Sequence, residues 1–341
     1  MKKFLLQLAE QESFSEKEMK EAVNLILGEE VSESEIAAFL MGLKSKGETV
    51  EEIVGIVHAL KDNTLLFNKK IPNVLDNCGT GGDGSSSFNV STTSAFVIAG
   101  AGITVAKHGN RSISSKTGSA DVLEYLGIDL NLSSERIEEI LQEIGIAFLF
   151  APNVHPKLKK VTAVRRQLKI PTIFNFIGPL TNPIDLDFQL LGVYRRDLLN
   201  VFAEVLQKLG RKRATVLNGA GFMDEASLQG ENYLTILENG LIRDYSFYPE
   251  EVDLPQYDNS CIRGGDSKEN AEILVNVLKG EKGAYRDTVL MNAGIGIFTA
   301  GKAHSLKEGI HVAEEIIDSG AAYGKLQSLI EKTRLGQREA I

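Results

Sequence analysis

Gly79-Thr80-Gly81-Gly82-Asp83-Gly84 stands between a short β-like run, Asn73–Leu75, and a helical pattern, Ser91–Ala101. A strand, a bare-backbone turn and a helix in that order make one βα unit, and the alternation continues downstream. Further β-like runs at Ile103–Ala106, Ala147–Phe150, Thr172–Phe174 and Ala214–Leu217 alternate with helical patterns such as Ser134–Ile144. Alternation of this kind implies α/β architecture with a substantially parallel sheet. Ligand sites in such sheets lie beyond the carboxyl ends of the strands, where the glycines of this chain cluster. The segment 237–262 departs from the pattern and reads as a β-hairpin with Asn239-Gly240 as its turn. A closing helical stretch, Ser305–Ser319, follows Ala293-Gly294-Ile295-Gly296.

Upstream of the glycine segment the texture is helical throughout. Ser15 with Glu18, Ser32 with Glu35, and Thr49 with Glu52 each pair a hydroxyl N-cap with an acid three residues on, the signature of a capping box. Apolar residues then recur at helical spacing: Met19, Ala22, Val23, Ile26 and Leu27; Ile36, Phe39, Leu40 and Leu43; Ile53, Val54, Val57 and Leu60. Gly28 and Gly47 fall where helices would stop. The expected organisation is a helical domain over 1–70, with helical contributions from about 155–190, and an α/β domain over 71–341.

Composition agrees with two domains in an ordinary globular chain of 341 residues. The net charge of −9, from 37 basic and 46 acidic residues, argues against a general nucleic-acid binder, which needs a basic face. A few local cations can still dominate one pocket for a small anion. No apolar run reaches the roughly 18 residues needed to span a bilayer. After Met1-Lys2-Lys3-Phe4-Leu5-Leu6, the polar Gln7, Glu10, Gln11 and Glu12 interrupt any signal-peptide core, so the expected location is the cytoplasm. Cys78 and Cys261 form no disulfide framework, and Cys78 reads as a buried, space-filling thiol. No Cys/His spacing suggests zinc.

The glycine segment formally matches G-x-G-x-x-G, but the dinucleotide use requires an acid about 20 residues on. Ile103-Thr-Val-Ala-Lys107-His108 offers a cation there instead, and Ser85 occupies the lysine position of a P-loop. What remains is a loop whose N–H groups can approach an anion closely. The hydroxyls and amide of Ser85–Thr93 follow at a helix start, a second source of anion affinity, with Ser91 or Thr92 as the expected N-cap. Lys107-His108-Gly109-Asn110-Arg111-Ser112-Ile113-Ser114-Ser115 adds two cations, an amide and three hydroxyls directly after a strand. Ser119 and Ala120 then open another helix, Asp121–Leu126. Asp224-Glu225, after Gly219 and Gly221, are adjacent hard-oxygen donors of the kind that hold Mg²⁺ together with substrate phosphates and water.

Taken in order, Gly-Thr-Gly-Gly-Asp from Gly79, Asn-Val-Ser-Thr from Asn89, Lys-His-Gly-Asn-Arg from Lys107, and Gly-Ser-Ala-Asp-Val-Leu-Glu from Gly118 precede Thr-Ile-Phe-Asn-Phe-Ile-Gly-Pro-Leu-Thr-Asn-Pro from Thr172 and the late Asp-Glu pair. This set resembles the anthranilate phosphoribosyltransferases of tryptophan biosynthesis over essentially the whole chain. The resemblance implies a helical domain plus a larger α/β domain of nucleoside phosphorylase/phosphoribosyltransferase type, a homodimer formed through the helical domain, and substrates bound between the domains. It implies that Gly79, Gly82, Asp83, Ser87, Asn89, Val90, Ser91 and Thr92 hold 5-phosphoribosyl 1-diphosphate (PRPP). Lys107, His108, Gly109, Asn110, Arg111, Ser112, Ile113, Ser114, Ser115 and Ser119 would join them. Ser91, Asp224 and Glu225 would ligate one or two Mg²⁺. Gly79, Asn110 and Arg165 would contact anthranilate, with His108, His155 and Gly178 lining its route. Arg165 also suits a carboxylate on its own chemistry, through its planar two-pronged donor set. The chain departs from the family pattern at Ser87, where Thr is common, at His155-Pro156-Lys157-Leu158, where His-Pro-Ala-Met is usual, and at Gly219-Ala-Gly-Phe-Met before the acidic pair.

No residue is expected to act as acid, base or nucleophile, because an aromatic amine is already neutral and nucleophilic. Positioning and stabilisation of the leaving diphosphate would carry the rate. Two rivals have distinct signatures. A pyrimidine-type nucleoside phosphorylase would take free phosphate and would not need Lys107–Arg111 with the Asp224-Glu225 pair. A non-catalytic nucleic-acid-binding paralogue would show a basic face.

Overall fold

The computed structural model describes residues 1–111 and 117–338. Four helices come first: α1 (Lys2–Ala9), α2 (Glu16–Leu27), α3 (Glu33–Lys46) and α4 (Val50–Lys61). All three expected capping boxes form, with Ser15, Ser32 and Thr49 each accepting the backbone N–H three residues on. Gly47 ends α3 at φ 87°, a conformation that favours glycine, whereas Gly28 ends α2 in extended backbone.

The third box does more than cap. Glu52 is fully buried; one carboxylate oxygen accepts the Phe14 N–H (2.9 Å) and the other accepts the Thr49 N–H (2.8 Å) and pairs with Lys46 (2.9 Å). It therefore ties the α1–α2 turn and the α3–α4 turn to one buried charge.

A seven-stranded sheet follows in the spatial order β3-β2-β1-β4-β5-β6-β7. The strands are β1 (Val74–Gly79), β2 (Thr104–Gly109), β3 (Ile146–Phe150), β4 (Phe188–Gly192), β5 (Arg213–Asn218), β6 (Asn232–Glu238) and β7 (Leu241–Phe247). The first five pair in parallel and the last two antiparallel. The other helices are α5 (Val90–Gly100), α6 (Ser119–Tyr125), α7 (Ser134–Ile144), α8 (Ala151–Val154), α9 (Lys159–Leu168), α10 (Leu199–Lys208), α11 (Ser267–Leu278), α12 (Ala284–Thr299), α13 (Leu306–Asp318) and α14 (Ala321–Arg338). Among the described residues no helix is long and apolar enough to cross a membrane.

Alternation along the strands divides the interior in two. Leu190 and Leu217 face a core built with α5 and α11–α14. Leu191 and Val216 face a core shared with α10, α4 and the rest of the helical bundle. α9 packs on α2 and α3, and Ile173, Phe176, Ile177 and Leu180 join the same bundle core. The bundle thus grows out of one face of the sheet.

Three expectations need correction. Thr172–Phe174 is not a strand: Ile173–Asn175 forms a 3-10 turn, because Pro171 precedes it and the Asn175 side chain captures the Thr172 N–H (3.0 Å). The hairpin runs over β6 and β7 rather than 237–262; its turn is Asn239-Gly240, both at positive φ, and 249–262 holds 3-10 turns. Gly294 and Gly296 lie inside α12, at positions where a Cβ would come within 2.5 Å of Ile310 at one and 2.4 Å of Ile98 at the other. Neither Ser91 nor Thr92 is the N-cap of α5; that position is Asn89, which makes no side-chain cap bond.

Replacing Glu52 with Ala would leave Lys46 buried without a counter-charge and two N–H groups without acceptors. Removal of one partner from a buried pair costs about 3–5 kcal/mol. The expected result is a fall of that order in unfolding free energy by urea titration; a loss near zero would contradict the anchoring role.

Candidate active site

The parallel strands deliver their carboxyl ends to one edge, and there the glycine segment begins. Gly81, Gly82 and Gly84 take positive φ (69°, 82° and 75°), and Ser86 does so too at 53°. Asp83 organises the loop, with Ser85 donating to it through both N–H and Oγ (3.0 Å each). Ser87 pairs as an isolated bridge with Arg263 and receives a hydrogen bond from Ser85 Oγ (3.3 Å).

The loop closes on Asp224. The Gly81 N–H donates to Asp224 Oδ2 at 2.6 Å, and the Asp224 N–H reaches Asp83 Oδ2 at 3.4 Å. Space for this contact exists only because two strands end in glycine. A Cβ on Gly79 would lie 2.2 Å from Asp224 Oδ2, and one on Gly192 would lie 1.6 Å from the Asp224 carbonyl oxygen. Gly219 makes the same allowance for the Glu225 carbonyl, 2.1 Å from where its Cβ would stand.

Glu225 faces the start of α5, where the Ser91 N–H and hydroxyl favour its ionised form. A carboxylate thereby serves the helix N-terminus that no local side chain caps. Lys107, itself buried, donates to the Asn77 carbonyl (2.6 Å) and to Ser91 Oγ (3.2 Å) and is the nearest cation acting on Glu225. Even so, burial raises the Glu225 pKa to about 7, and burial with the neighbouring Asp83 and Glu225 charges raises Asp224 well above its ordinary range. Asp224, Glu225, Ser91 and Asn77 line a cavity of about 10 Å³, near the size that holds one water. The Asn77 Oδ1 is buried there without a hydrogen-bond partner. Among the described residues no three His, Cys, Asp or Glu side chains form a preformed metal cage. A hard dication held by one or two carboxylates plus phosphate and water does not need one. Crowded carboxylates, a hydroxyl and an orphaned amide oxygen are the donor set that such a cation would satisfy.

On the other side of β1 the sheet forks. β1 and β2 pair only at Val74 with Thr104 and Leu75 with Val105. Beyond that point side chains replace the ladder. Asp76 Oδ1 accepts the His108 N–H (3.2 Å), and Asn182 Nδ2 donates to both Asp76 Oδ2 (3.0 Å) and the Ala106 carbonyl (2.8 Å). Burial raises the Asp76 pKa, with Lys107 opposing. Asn182 belongs to the 172–183 segment, so this wedge fastens that segment to the phosphate side.

His108 donates through Nδ1 to the Gly178 carbonyl (3.2 Å) and meets the His155 ring edge-on at 5.4 Å. The Thr181 backbone beside the His155 ring partly offsets the effect of its burial. Burial holds both rings neutral, at about 3 for His108 and about 4 for His155. Arg165, half-buried on α9, donates to Asn175 Oδ1 (3.2 Å) and lies 5.8 Å from the Phe174 ring centre; burial lowers its pKa. Tyr194 bridges the two sides, with its ring 3.5 Å from where a Gly82 Cβ would lie and 5.5 Å from the Phe176 ring.

The other sequence candidates fall at the same edge with different pairings. Asn89 receives Asn270 Nδ2 (2.9 Å), and Val90 opens α5. The Thr92 hydroxyl is buried without a partner. Gly109 ends β2, and the Asn110 carbonyl accepts the Ser119 hydroxyl (3.2 Å) and the Ala120 N–H (3.3 Å). Arg111 is turned onto Asp121 and Glu124 (2.8 Å each). Ser112, Ile113, Ser114 and Ser115 lie outside the described residues. Cys78 is half-buried and unpaired, and burial together with Asp76 raises its pKa, which rules against a thiolate nucleophile. Sequence reading misses Asp76, Asn182, Tyr194, Asn218 and Asn292. A signal for Asp76 is present, since Asp76-Asn77 interrupts an apolar run directly before the glycines.

The chain sets a helical bundle against one face of a mostly parallel sheet, with a glycine loop and an acidic pair at the carboxyl edge. Residues 2–64 match the helical bundle domain, and 71–323 the a/b domain, of the glycosyl transferase family. The anthranilate phosphoribosyltransferase of Bacillus mycoides is 54% identical over 330 residues, covering 97% of each chain, and that of Bacillus anthracis is 56% identical over the same length. The crystal structure of the enzyme from Thermus thermophilus superposes with a TM-score of 0.92 at 40% identity, covering 97% of this chain and 99% of that one. The Saccharomyces cerevisiae enzyme in complex with PRPP and Mg gives 0.90 at 27% identity over 97% of each chain. The chain belongs to the anthranilate phosphoribosyltransferase family.

The neutral histidines give a pH prediction. The unfolded chain takes up their protons below the ordinary value of 6.5, whereas the fold refuses them until about 4 for His155. Their contribution is therefore complete above 6.5 and is lost as pH falls from 6.5 toward about 4. His155→Asn should lose stability less steeply than the wild type across this window, by at most about 1.4 kcal/mol per pH unit. Parallel slopes in urea titrations would contradict the buried-neutral assignment.

Proposed function

We propose that the chain transfers the phosphoribosyl group of PRPP to the amine of anthranilate, releasing diphosphate, with the residues assembled at the carboxyl edge. The observation that carries this reading is the closure of the Gly79–Gly84 backbone on Asp224, next to Glu225. Relatives at 54–56% identity carry that activity in their name.

In this reading Gly79, Gly82, Asp83, Ser87 and the Asn89–Thr92 start of α5 cradle the diphosphate, with Lys107 beneath. Ser91, Asp224 and Glu225 are the residues that would hold Mg²⁺, whose bound charge would ease departure of the diphosphate. Gly79, Asn110 and Arg165 take anthranilate: the guanidinium meets the carboxylate, and Phe174 lies beside it. His108, His155 and Gly178 wall the approach, and the rings orient without transferring protons because burial keeps them neutral. The amine nitrogen forms its bond to ribose C1 as the C1–oxygen bond breaks, the electron pair leaves with diphosphate, and the surplus amine proton is released. No base is needed to generate the nucleophile, and rate comes from holding the two substrates in line.

The domains are taken as 1–70 and 71–341, with helices from 155–190 lent to the bundle. We further propose a homodimer through the bundle, supported by exposed Leu6 (58%) on α1 and Met41 (40%) on α3, two helices that pack together. The reaction is placed in the cytoplasm, as suits amino-acid biosynthesis.

The test is loss of anthranilate fluorescence in a mixture of protein, Mg²⁺ and PRPP. Wild type should consume anthranilate, and Arg165→Lys should raise its KM by about 10-fold or more while leaving the KM for PRPP near the wild-type value. Persistent fluorescence with folded wild-type protein would overturn the assignment. An unchanged anthranilate KM in Arg165→Lys would remove Arg165 from the pocket.

A further inference from the structure

Asp224 and Glu225 sit on the connection between β5 and β6, and a connection is ordinarily the least rigid part of a domain. Here two buried asparagines grip it from opposite sides. Asn218, fully buried at the end of β5, donates through Nδ2 to the Val193 carbonyl (2.8 Å) and the Met223 carbonyl (3.3 Å), and its Oδ1 accepts from Arg196 Nε (3.0 Å). Asn292, 2% exposed in the middle of α12, reads both backbone groups of Ala226. Its Oδ1 accepts the Ala226 N–H (2.9 Å), and its Nδ2 donates to the Ala226 carbonyl (2.9 Å) and to the Thr288 carbonyl (2.9 Å). The residues before and after the acidic pair are thereby fixed to the sheet and to α12.

Asn292 is conspicuous for its surroundings. Val289, Leu290, Met291, Ala293 and Ile295 of the same helix are all buried and apolar. An amide in such a place is costly unless its hydrogen bonds are made, and two of its three go to one residue of the connection. Asn292 also lines the small cavity with Ser91, Asp224 and Glu225. It has no ionisable group to offer a cation, but it sets where the carboxylates stand.

The geometry points to Asn292 as a positioning residue for the cation site, with Asn218 as its counterpart on the other side of the acidic pair. This rests on Asp224 and Glu225 being the metal-holding residues. Asn292 is one of the two anchors of the connection, so releasing Ala226 lets the acidic pair move relative to Ser91. Loss of an outer partner of this kind typically weakens metal binding about 10–100-fold.

The test measures Mn²⁺ binding to the full chain by electron paramagnetic resonance, in the presence of inorganic diphosphate. Asn292→Ala should raise the Mn²⁺ dissociation constant about 10–100-fold. Turnover at saturating metal should fall far less, and the anthranilate KM should not move. Ile297→Val, on the same helix but away from the connection, should keep wild-type metal affinity, which separates positioning from general loss of stability. Should Asn292→Ala fail to fold, Asn218→Ser releases Met223 from the other side and gives the same readout. Wild-type Mn²⁺ affinity in either folded variant would overturn the inference alone. Absence of Mn²⁺ binding by the wild type would overturn the metal assignment beneath it.

Discussion

The site depends on one close contact, Asp224 wedged against bare backbone, with its carboxylate at the end of β1 and its carbonyl at the end of β4. Gly79 and Gly192 are adjacent in register, and neither could carry a side chain without displacing Asp224. The contact draws the Gly81 N–H inward and sets the glycine loop beside two carboxylates that burial has made reluctant to ionise. A loop of N–H donors and a cluster of unneutralised acids would be a poor neighbourhood for either alone. An anion and a cation arriving together satisfy both. The arrangement therefore suits a metal diphosphate better than free phosphate or a dinucleotide.

In the proposed reading, the pocket for the second substrate is tied to that for the first through the sheet itself. Asp76 and Asn182 replace the backbone ladder where β1 and β2 part, and the segment that carries Phe174, Asn175 and Gly178 hangs on that wedge. His108 joins the two sides directly, with its backbone N–H on Asp76 and its ring on the Gly178 carbonyl. Because α9 and 173–180 pack into the helical bundle, any shift of the bundle moves Arg165 relative to the phosphate loop. On the proposed assignment, the bundle thus helps set the distance between the two substrates.

Much of this is legible in the chain. Three capping boxes with apolar stripes specify the bundle, and βα alternation specifies the parallel sheet, because both are local patterns. β4 escapes notice because a central strand covered on both faces loses its alternation, and Gln189 interrupts its short apolar run. Thr172–Phe174 imitates a strand by its β-branched composition, although a proline and an asparagine enforce a turn there. In the site, the residues with obvious anion or cation chemistry are visible. Asn182, Asn218 and Asn292 are not, because an asparagine declares its role only through partners distant in sequence.

The most direct test of the central contact is calorimetric binding of PRPP, with and without Mg²⁺, to the wild type and to a variant carrying Asp224→Asn and Glu225→Gln. Mg²⁺ should strengthen PRPP binding to the wild type, and the variant should lose that dependence while still binding PRPP through the loop. An undiminished Mg²⁺ effect in the folded variant would show that the cation is held elsewhere.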